Sequence, residues 1–164
     1  MATIEQAQTA HAPAIAAVLA ANANEPSLFQ RDASDVRRRL ADFIVARDGV
    51  DIVGCSAIHF HSARSAEVLS VAVHPARHGG GIGAALVREA LAVAHARGAD
   101  RVWLGTRKPD YFSRFGFERC WRWRVLLAPP SVLVDKVRAV FAQPRGRWLA
   151  ALLGGHVFMR RVLS

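Results

Sequence analysis

The stretch His78-Gly79-Gly80-Gly81-Ile82-Gly83 constrains this 164-residue chain more than any other feature. An apolar run at residues 68–73 precedes it, and residues 84–97 carry apolar side chains at helical spacing. Glycines therefore stand between a predicted strand and the start of a predicted helix. Backbone N–H groups have no intrahelical partner there, and the helix dipole is positive. The pattern predicts a cradle for a phosphate or another anion.

Three familiar glycine loops fit this stretch less well. A Walker loop requires a lysine directly after its glycines, and none follows here. The dinucleotide fingerprint is nearly met by Gly79, Gly81 and Ala84, but Asp100, at the required spacing, precedes the next strand instead of ending it. The oxyanion loop of esterases requires a G-x-S-x-G elbow, and residues 54–58 lack the second glycine.

The stretch resembles the Gln/Arg-x-x-Gly-x-Gly/Ala motif of the GNAT (Gcn5-related) N-acetyltransferases. A second segment, residues 110–117, resembles the aromatic-x-x-x-Gly-Phe motif of the same family, at the usual distance. The resemblance is strong over residues 67–117, moderate over residues 45–59, and absent over residues 129–155. It implies a GNAT fold of the α/β (α+β) class, with a mixed central sheet of six to seven strands flanked by about four helices.

The order of predicted elements agrees with this fold. Strands are expected at residues 3–8, 43–46, 50–61, 66–74, 101–106, 117–127 and 156–163, and Asp48-Gly49 indicates a hairpin. Thr9 and Ser34 are predicted N-caps of helices that run to residues 21 and 43, and a short helix is expected at residues 110–115. We expect one domain over residues 1–164, with a helical insertion at residues 129–155 that forms a lid or a homodimer contact.

Composition limits the partners. The net charge of +9 suits an anionic partner. The basic residues are scattered, however, and no nucleic-acid motif is present, so we do not predict specific nucleic-acid binding. No apolar run reaches the length of a membrane span, and residues 1–5 carry no secretory signal. Cys55 and Cys120 form no metal or disulfide pattern, which favours a reducing cytoplasm.

The resemblance implies acetyl-CoA as cosubstrate. Backbone groups of the glycine stretch would hold its diphosphate, and the pantetheine arm would lie along the fourth strand like an added strand. The family's Gln or Arg is replaced by His78, and Arg77 is an alternative source of charge. The predicted carrier-binding residues are Val71, Ala72, Val73, His78, Gly79, Gly80, Gly81, Ile82, Gly83, Ala84, Phe112 and Arg114.

Transfer of an acetyl group to an amine also requires a base and a way to stabilise the leaving thiolate. Glu67 occupies the position of the catalytic Glu in the histone-acetyltransferase branch, and His59 and His61 are alternative bases. Phe112 occupies the position at which the family often has a catalytic Tyr. Either Tyr111, one residue earlier, is the acid, or the thiolate leaves without one.

The acceptor is not specified by the sequence. Residues 106–110 resemble the N-acetylglutamate-synthase-like branch, where a basic side chain could hold a carboxylate. Candidate acceptor residues are Phe29, His59, His61 and Arg107. His59 and His61 lack further ligands at useful spacing, so no metal is predicted. The alternative function is a non-catalytic GNAT-fold module that binds acyl-CoA or an anionic partner.

Overall fold

The computed structural model describes residues 2–25, 28, 30–120 and 157–163. Phe29 and the predicted insertion at residues 129–155 lie outside the described residues, as does most of the predicted strand at residues 117–127. The described elements are β1 (Thr3–Gln6), α1 (Ala12–Ala21), α2 (Ala33–Arg38), β2 (Phe43–Asp48), β3 (Asp51–Ser62), β4 (Ser65–Val73), α3 (Ile82–Ala96), β5 (Arg101–Thr106), α4 (Pro109–Ser113), β6 (Glu118–Arg119) and β7 (Val157–Val162).

The strands form one seven-stranded sheet in the order β1-β2-β3-β4-β5-β7-β6. Strands β4 and β5 are parallel, and the other described neighbours are antiparallel. The parallel pair follows from the chain path, because α3 carries the chain back along the sheet between β4 and β5. The mixed sheet and the four α-helices confirm the predicted fold class.

Each face of the sheet has its own core. Alternate residues of the strands point to opposite faces, so Ile44 and Ala46 pack toward α3. Val45 and Cys55 pack on the other face, against α1 and α2. Ile15 and Leu19 of α1 are fully buried there, and burial of such a side chain contributes about 1.5–3 kcal/mol to folding.

Two predicted helix starts were wrong. Gln8, not Thr9, is the N-cap of a 3₁₀ turn, where it forms a capping box with His11, and α1 follows directly. Asp32, not Ser34, caps α2, because its carboxylate accepts the Asp35 N–H at 2.8 Å. This hydrogen bond lowers the pKa of the Asp32 carboxyl.

The second predicted helix was also too long. It ends at Arg38, and a 3₁₀ turn, Leu40–Asp42, leads into β2. Phe43, the predicted last residue of this helix, is instead the first residue of β2, and its ring is buried. No helix among the described residues is long and apolar enough to cross a membrane.

Candidate active site

The glycine stretch forms an open cradle at the start of α3. Gly79 and Gly81 have φ angles of +85° and +77°, which residues with side chains rarely adopt. Gly81 is the N-cap of α3, which begins two residues before the predicted start at residue 84. A Cβ atom added at Gly79 or Gly81 would have no neighbour within 4 Å. Open space in front of unpaired N–H groups and a positive helix end fits a diphosphate.

The side chains next to the cradle make contacts within the protein. His78 Nε2 lies 2.9 Å from the carbonyl oxygen of Val73, which also accepts a hydrogen bond from Asn22 Nδ2 at 3.0 Å. Arg77 forms a 2.8 Å ion pair with Asp48. The backbone of the glycine stretch, more than these two side chains, is therefore available to an anion.

Beside the cradle, one edge of β4 pairs with no strand among the residues that the structure describes. Strands β4 and β5 pair only from Ser65 to Glu67, and for residues 68–73 no β5 partner is found within the described chain. A bulge contributes to this divergence, because Ser70 and Val71 together lie opposite Ser56 of β3. Ser70 takes a φ of +53° at the bulge. This part of β4 includes Val71, Ala72 and Val73, the residues predicted to meet the pantetheine arm.

Helix α4 lies against the start of α3. The Tyr111 hydroxyl is 2.9 Å from the position that a Cβ on Gly83 would occupy, and Val73 Cγ2 is 3.6 Å from the same point. The Tyr111 ring contacts Phe112 edge-on at 5.0 Å between centroids. The guanidinium of Arg114 lies over the Tyr111 ring at 4.5 Å. The predicted acid therefore lies at the cradle end of β4, and the predicted carrier residues Phe112 and Arg114 contact its ring.

Glu67 and His61 form a buried pair near the other end of β4. His61 Nε2 is 3.1 Å from Glu67 Oε2, and the two side chains are 0% and 2% exposed. Glu67 is therefore buried and does not lie at an exposed edge of the sheet. Two residues along β3, His59 Nδ1 is 2.9 Å from Asp42 Oδ2. The structure thus brings three predicted residues, Glu67, His59 and His61, to one face of the sheet.

Three features of this face were missed by sequence reasoning. They are Asp42 beside His59, Trp103 opposite Glu67, and Arg160 opposite Trp103. Only strand register brings them together, and no short motif marks them. The predicted acceptor residue Arg107 is exposed at the end of β5, and its neighbour Lys108 forms a 2.7 Å ion pair with Glu25. Over residues 2–25, 28, 30–120 and 157–163, no three His, Cys, Asp or Glu side chains are grouped to hold a metal ion.

Comparison with known proteins agrees with this geometry. The model of the acetyltransferase (GNAT) family matches residues 12–120. An uncharacterized N-acetyltransferase of Chlorobaculum tepidum is 31% identical over 115 residues, which are 70% of this chain and 74% of that protein. An amino-acid acetyltransferase of Mycobacterium tuberculosis is 32% identical over 117 residues, 70% of this chain and 67% of that protein.

A solved structure is similar over almost the whole chain. It is a Mycobacterium tuberculosis protein in complex with CoA and NLQ, with a TM-score of 0.78, 25% identity and 99% of each chain covered. N-acetylglutamate synthase from Neisseria gonorrhoeae shares the fold, with a TM-score of 0.74 at 21% identity, and this chain spans 35% of it.

A glycine cradle at a helix start beside an unpaired stretch of strand is the arrangement expected of an acyl-CoA-dependent transferase of the GNAT fold. The family match and the two relatives show that this chain belongs to the GNAT acetyltransferase family. It is an N-acetyltransferase, and its acyl donor is acetyl-CoA. The named activities of the relatives favour a catalytic protein over a non-catalytic binding module.

Proposed function

We propose that the acceptor is the primary amine of an α-amino acid, and that the acetyl group moves directly from acetyl-CoA within a ternary complex. A relative at 32% identity is named an amino-acid acetyltransferase. The chemistry of one face of the sheet also supports this acceptor class. An amino acid offers an amine to acetylate and a carboxylate to recognise, so a suitable site must provide a proton acceptor and a cation close together.

A row of cross-strand neighbours provides this combination. His59 of β3 lies opposite Glu67 of β4, Glu67 opposite Trp103 of β5, and Trp103 opposite Arg160 of β7. Directly opposed residues point to the same face of a sheet. The Arg160 guanidinium lies 5.9 Å from the centroid of the Trp103 ring. The indole N–H of Trp103 donates a 3.1 Å hydrogen bond to Ser65 Oγ.

The spacing of the row suits a small zwitterion. Glu67 and Arg160 are two strands apart, which is about 10 Å between backbones, and the Arg160 side chain shortens this gap by lying over Trp103. An α-amino acid bound between Glu67 and Arg160 would direct its ammonium to the Glu67–His61 pair and its carboxylate to Arg160. The position of Arg160 over Trp103, with Glu67 on the other side, is the observation that carries the proposal.

The remaining roles follow from this placement of the acceptor. The Glu67–His61 pair removes the ammonium proton, and the free amine attacks the thioester carbonyl. A backbone N–H at the bulge, near Val71, polarises this carbonyl. Tyr111 protonates the leaving thiolate. A thiolate is a good leaving group because thiols are fairly acidic, so it requires only limited help from an acid.

Thiol release from acetyl-CoA tests the acceptor class. Each α-amino acid is compared with its α-carboxamide, which keeps the amine and removes the carboxylate. We expect kcat/KM to be at least tenfold higher for the preferred amino acid, and Arg160→Met to erase this preference by raising KM. Arg64→Met, at a side chain that is 74% exposed, is the matched control. Equal rates with amides, or an unchanged preference in Arg160→Met, would contradict the proposal.

We also propose that the enzyme acts in the cytoplasm. Cys55 is a buried thiol that takes part in no disulfide. A reduced thiol in the core suits a reducing compartment. Cell fractionation with an antibody to the native protein tests this, and recovery in a membrane or extracellular fraction would contradict it.

A further inference from the structure

The proposed base is the buried Glu67–His61 pair, and the hydrogen bond between these two side chains gives each of them a different role. A carboxylate accepts hydrogen bonds, so the 3.1 Å contact fixes the proton of neutral His61 on Nε2, pointing at Glu67. The second ring nitrogen, Nδ1, is then unprotonated, and its lone pair can accept a proton. This atom is buried and has no hydrogen-bond partner among the described residues.

A buried lone pair without a donor is unusual. Most buried polar atoms are paired, and an unpaired one costs about 1–3 kcal/mol. A carboxylate that holds one imidazole nitrogen while the other waits for a proton is the arrangement by which catalytic histidines act as bases. The atom of the pair that is available to accept a proton is therefore His61 Nδ1.

A second carboxylate–imidazole pair lies next to the first. Asp42 holds His59 Nδ1 at 2.9 Å, which leaves Nε2 of His59 as its proton acceptor. The His59 and Asp42 side chains are 29% and 24% exposed, so this pair reaches solvent. The two imidazole rings meet edge to face with their centroids 4.9 Å apart. The four side chains thus run from a buried carboxylate to the surface.

We infer that His61, not Glu67, is the general base, that Glu67 is its positioning residue, and that the Asp42–His59 pair carries the proton to solvent. This inference rests on the proposed function only in placing the acceptor amine at the Glu67–His61 pair. It differs from the role that the sequence suggests for Glu67.

The proton is conserved at each step. The N–H bond of the acceptor ammonium breaks and an N–H bond forms at His61 Nδ1, directly or through one water molecule. The imidazolium is stabilised by the Glu67 carboxylate. Its Nδ1 proton then passes to His59 Nε2, again directly or through water, and from there to bulk solvent. The second proton of the amine leaves as the amide forms and replaces the proton that Tyr111 gives to the thiolate, so every group returns to its starting protonation state after one turnover.

Nitrogen NMR of the histidine-labelled native enzyme tests the resting state without any activity assay. We expect His61 to be in the Nε2–H tautomer, with an unprotonated Nδ1. In Glu67→Gln, whose amide can either donate or accept, we expect a mixture of tautomers. A pure Nδ1–H tautomer in the native enzyme, or a tautomer unaffected by Glu67→Gln, would overturn the inference.

Chemical rescue tests the roles in turnover. We expect His61→Ala to lower kcat/KM at least a hundredfold, and added imidazole to restore activity at least tenfold. Glu67→Gln is expected to be unaffected by imidazole, and His95→Ala, at an exposed histidine of α3, to behave like the native enzyme. Loss of activity in His61→Ala without rescue, while the circular dichroism spectrum stays native, would contradict a base at His61.

The role of the Asp42–His59 pair in carrying the proton to solvent is tested by a separate kinetic measurement. In His59→Asn we expect kcat to fall and to become dependent on buffer concentration, because buffer must replace the lost carrier. A kcat that does not depend on buffer would remove His59 from the path. All these assays use the best amine found for the native enzyme, so failure of amino acids as acceptors is seen separately from failure of the His61 assignment.

Discussion

The Tyr111 hydroxyl lies 2.9 Å from the point where a Cβ on Gly83 would stand. Gly83 is in the first turn of α3, where the helix propensity of alanine would otherwise make it more favourable than glycine by up to about 1 kcal/mol. The Tyr111 ring is packed against Phe112 and Phe115 and cannot withdraw freely. We therefore expect the two residues to be energetically coupled.

A double-mutant cycle measures this coupling. We expect Gly83→Ala to lower the free energy of unfolding by about 1–2 kcal/mol in the native background, because of overpacking. In a Tyr111→Phe background, without the hydroxyl, the same change should be neutral or stabilising. Urea unfolding of the four proteins gives the coupling energy. Equal effects of Gly83→Ala in both backgrounds would show that the two residues are independent.

The proposed acid is tested by Tyr111→Phe alone. The ring packing stays, and only the hydroxyl is lost. We expect kcat to fall at least tenfold at saturating amine and acetyl-CoA, because the leaving thiolate would lose its proton donor. An unchanged kcat would mean that the thiolate leaves without help from Tyr111.

The bulge in β4 makes a separate prediction about Ser70. Its φ of +53° lies in the left-handed region, which costs a residue with a side chain about 1–2 kcal/mol and costs glycine little. We expect Ser70→Gly to keep or slightly raise the free energy of unfolding, and the β-branched Ser70→Val to lower it by more than about 1 kcal/mol. The reverse order of these two variants in urea unfolding would contradict the strained bulge.

Burial of Cys55 gives a pH dependence. Burial raises the pKa of its thiol from 9.0 to about 12. Between these values the folded protein binds the proton more strongly than the unfolded chain, so the free energy of unfolding falls as pH rises from about 9 toward 12. The stability advantage of the native enzyme over Cys55→Ala should therefore shrink by about 1.4 kcal/mol per pH unit above about pH 9. Parallel stability curves for the two proteins would contradict this.

Much of the fold could be predicted because its signals are local. The glycines before α3, the Asp48-Gly49 hairpin and the strand at residues 101–106 all depend on neighbours in sequence, and the structure has them as predicted. The helix caps at Gln8 and Asp32 were missed because several polar residues near each start compete for the same N–H groups.

The chemistry of the acceptor face could not be predicted in the same way. Whether Glu67 is exposed or buried depends on what covers the sheet, and alternation along β4 does not contain this information. Asp42 meets His59 only through the register of β2 and β3, which a bulge between Ala46 and Arg47 shifts by one residue. Arg160 reaches Trp103 from a strand more than fifty positions later in the chain.

We propose that the backbone of the glycine stretch holds the diphosphate of acetyl-CoA, and titration calorimetry with CoA tests this most directly. The variants are Gly81→Leu and Gly49→Leu, because both glycines have positive φ, +77° and +63°, and open space where a Cβ would stand. They therefore share the backbone strain, and only Gly81 lies in the cradle. We predict a Kd for CoA at least tenfold higher in Gly81→Leu and unchanged in Gly49→Leu. Native affinity in Gly81→Leu, or equal losses in both variants, would contradict the claim.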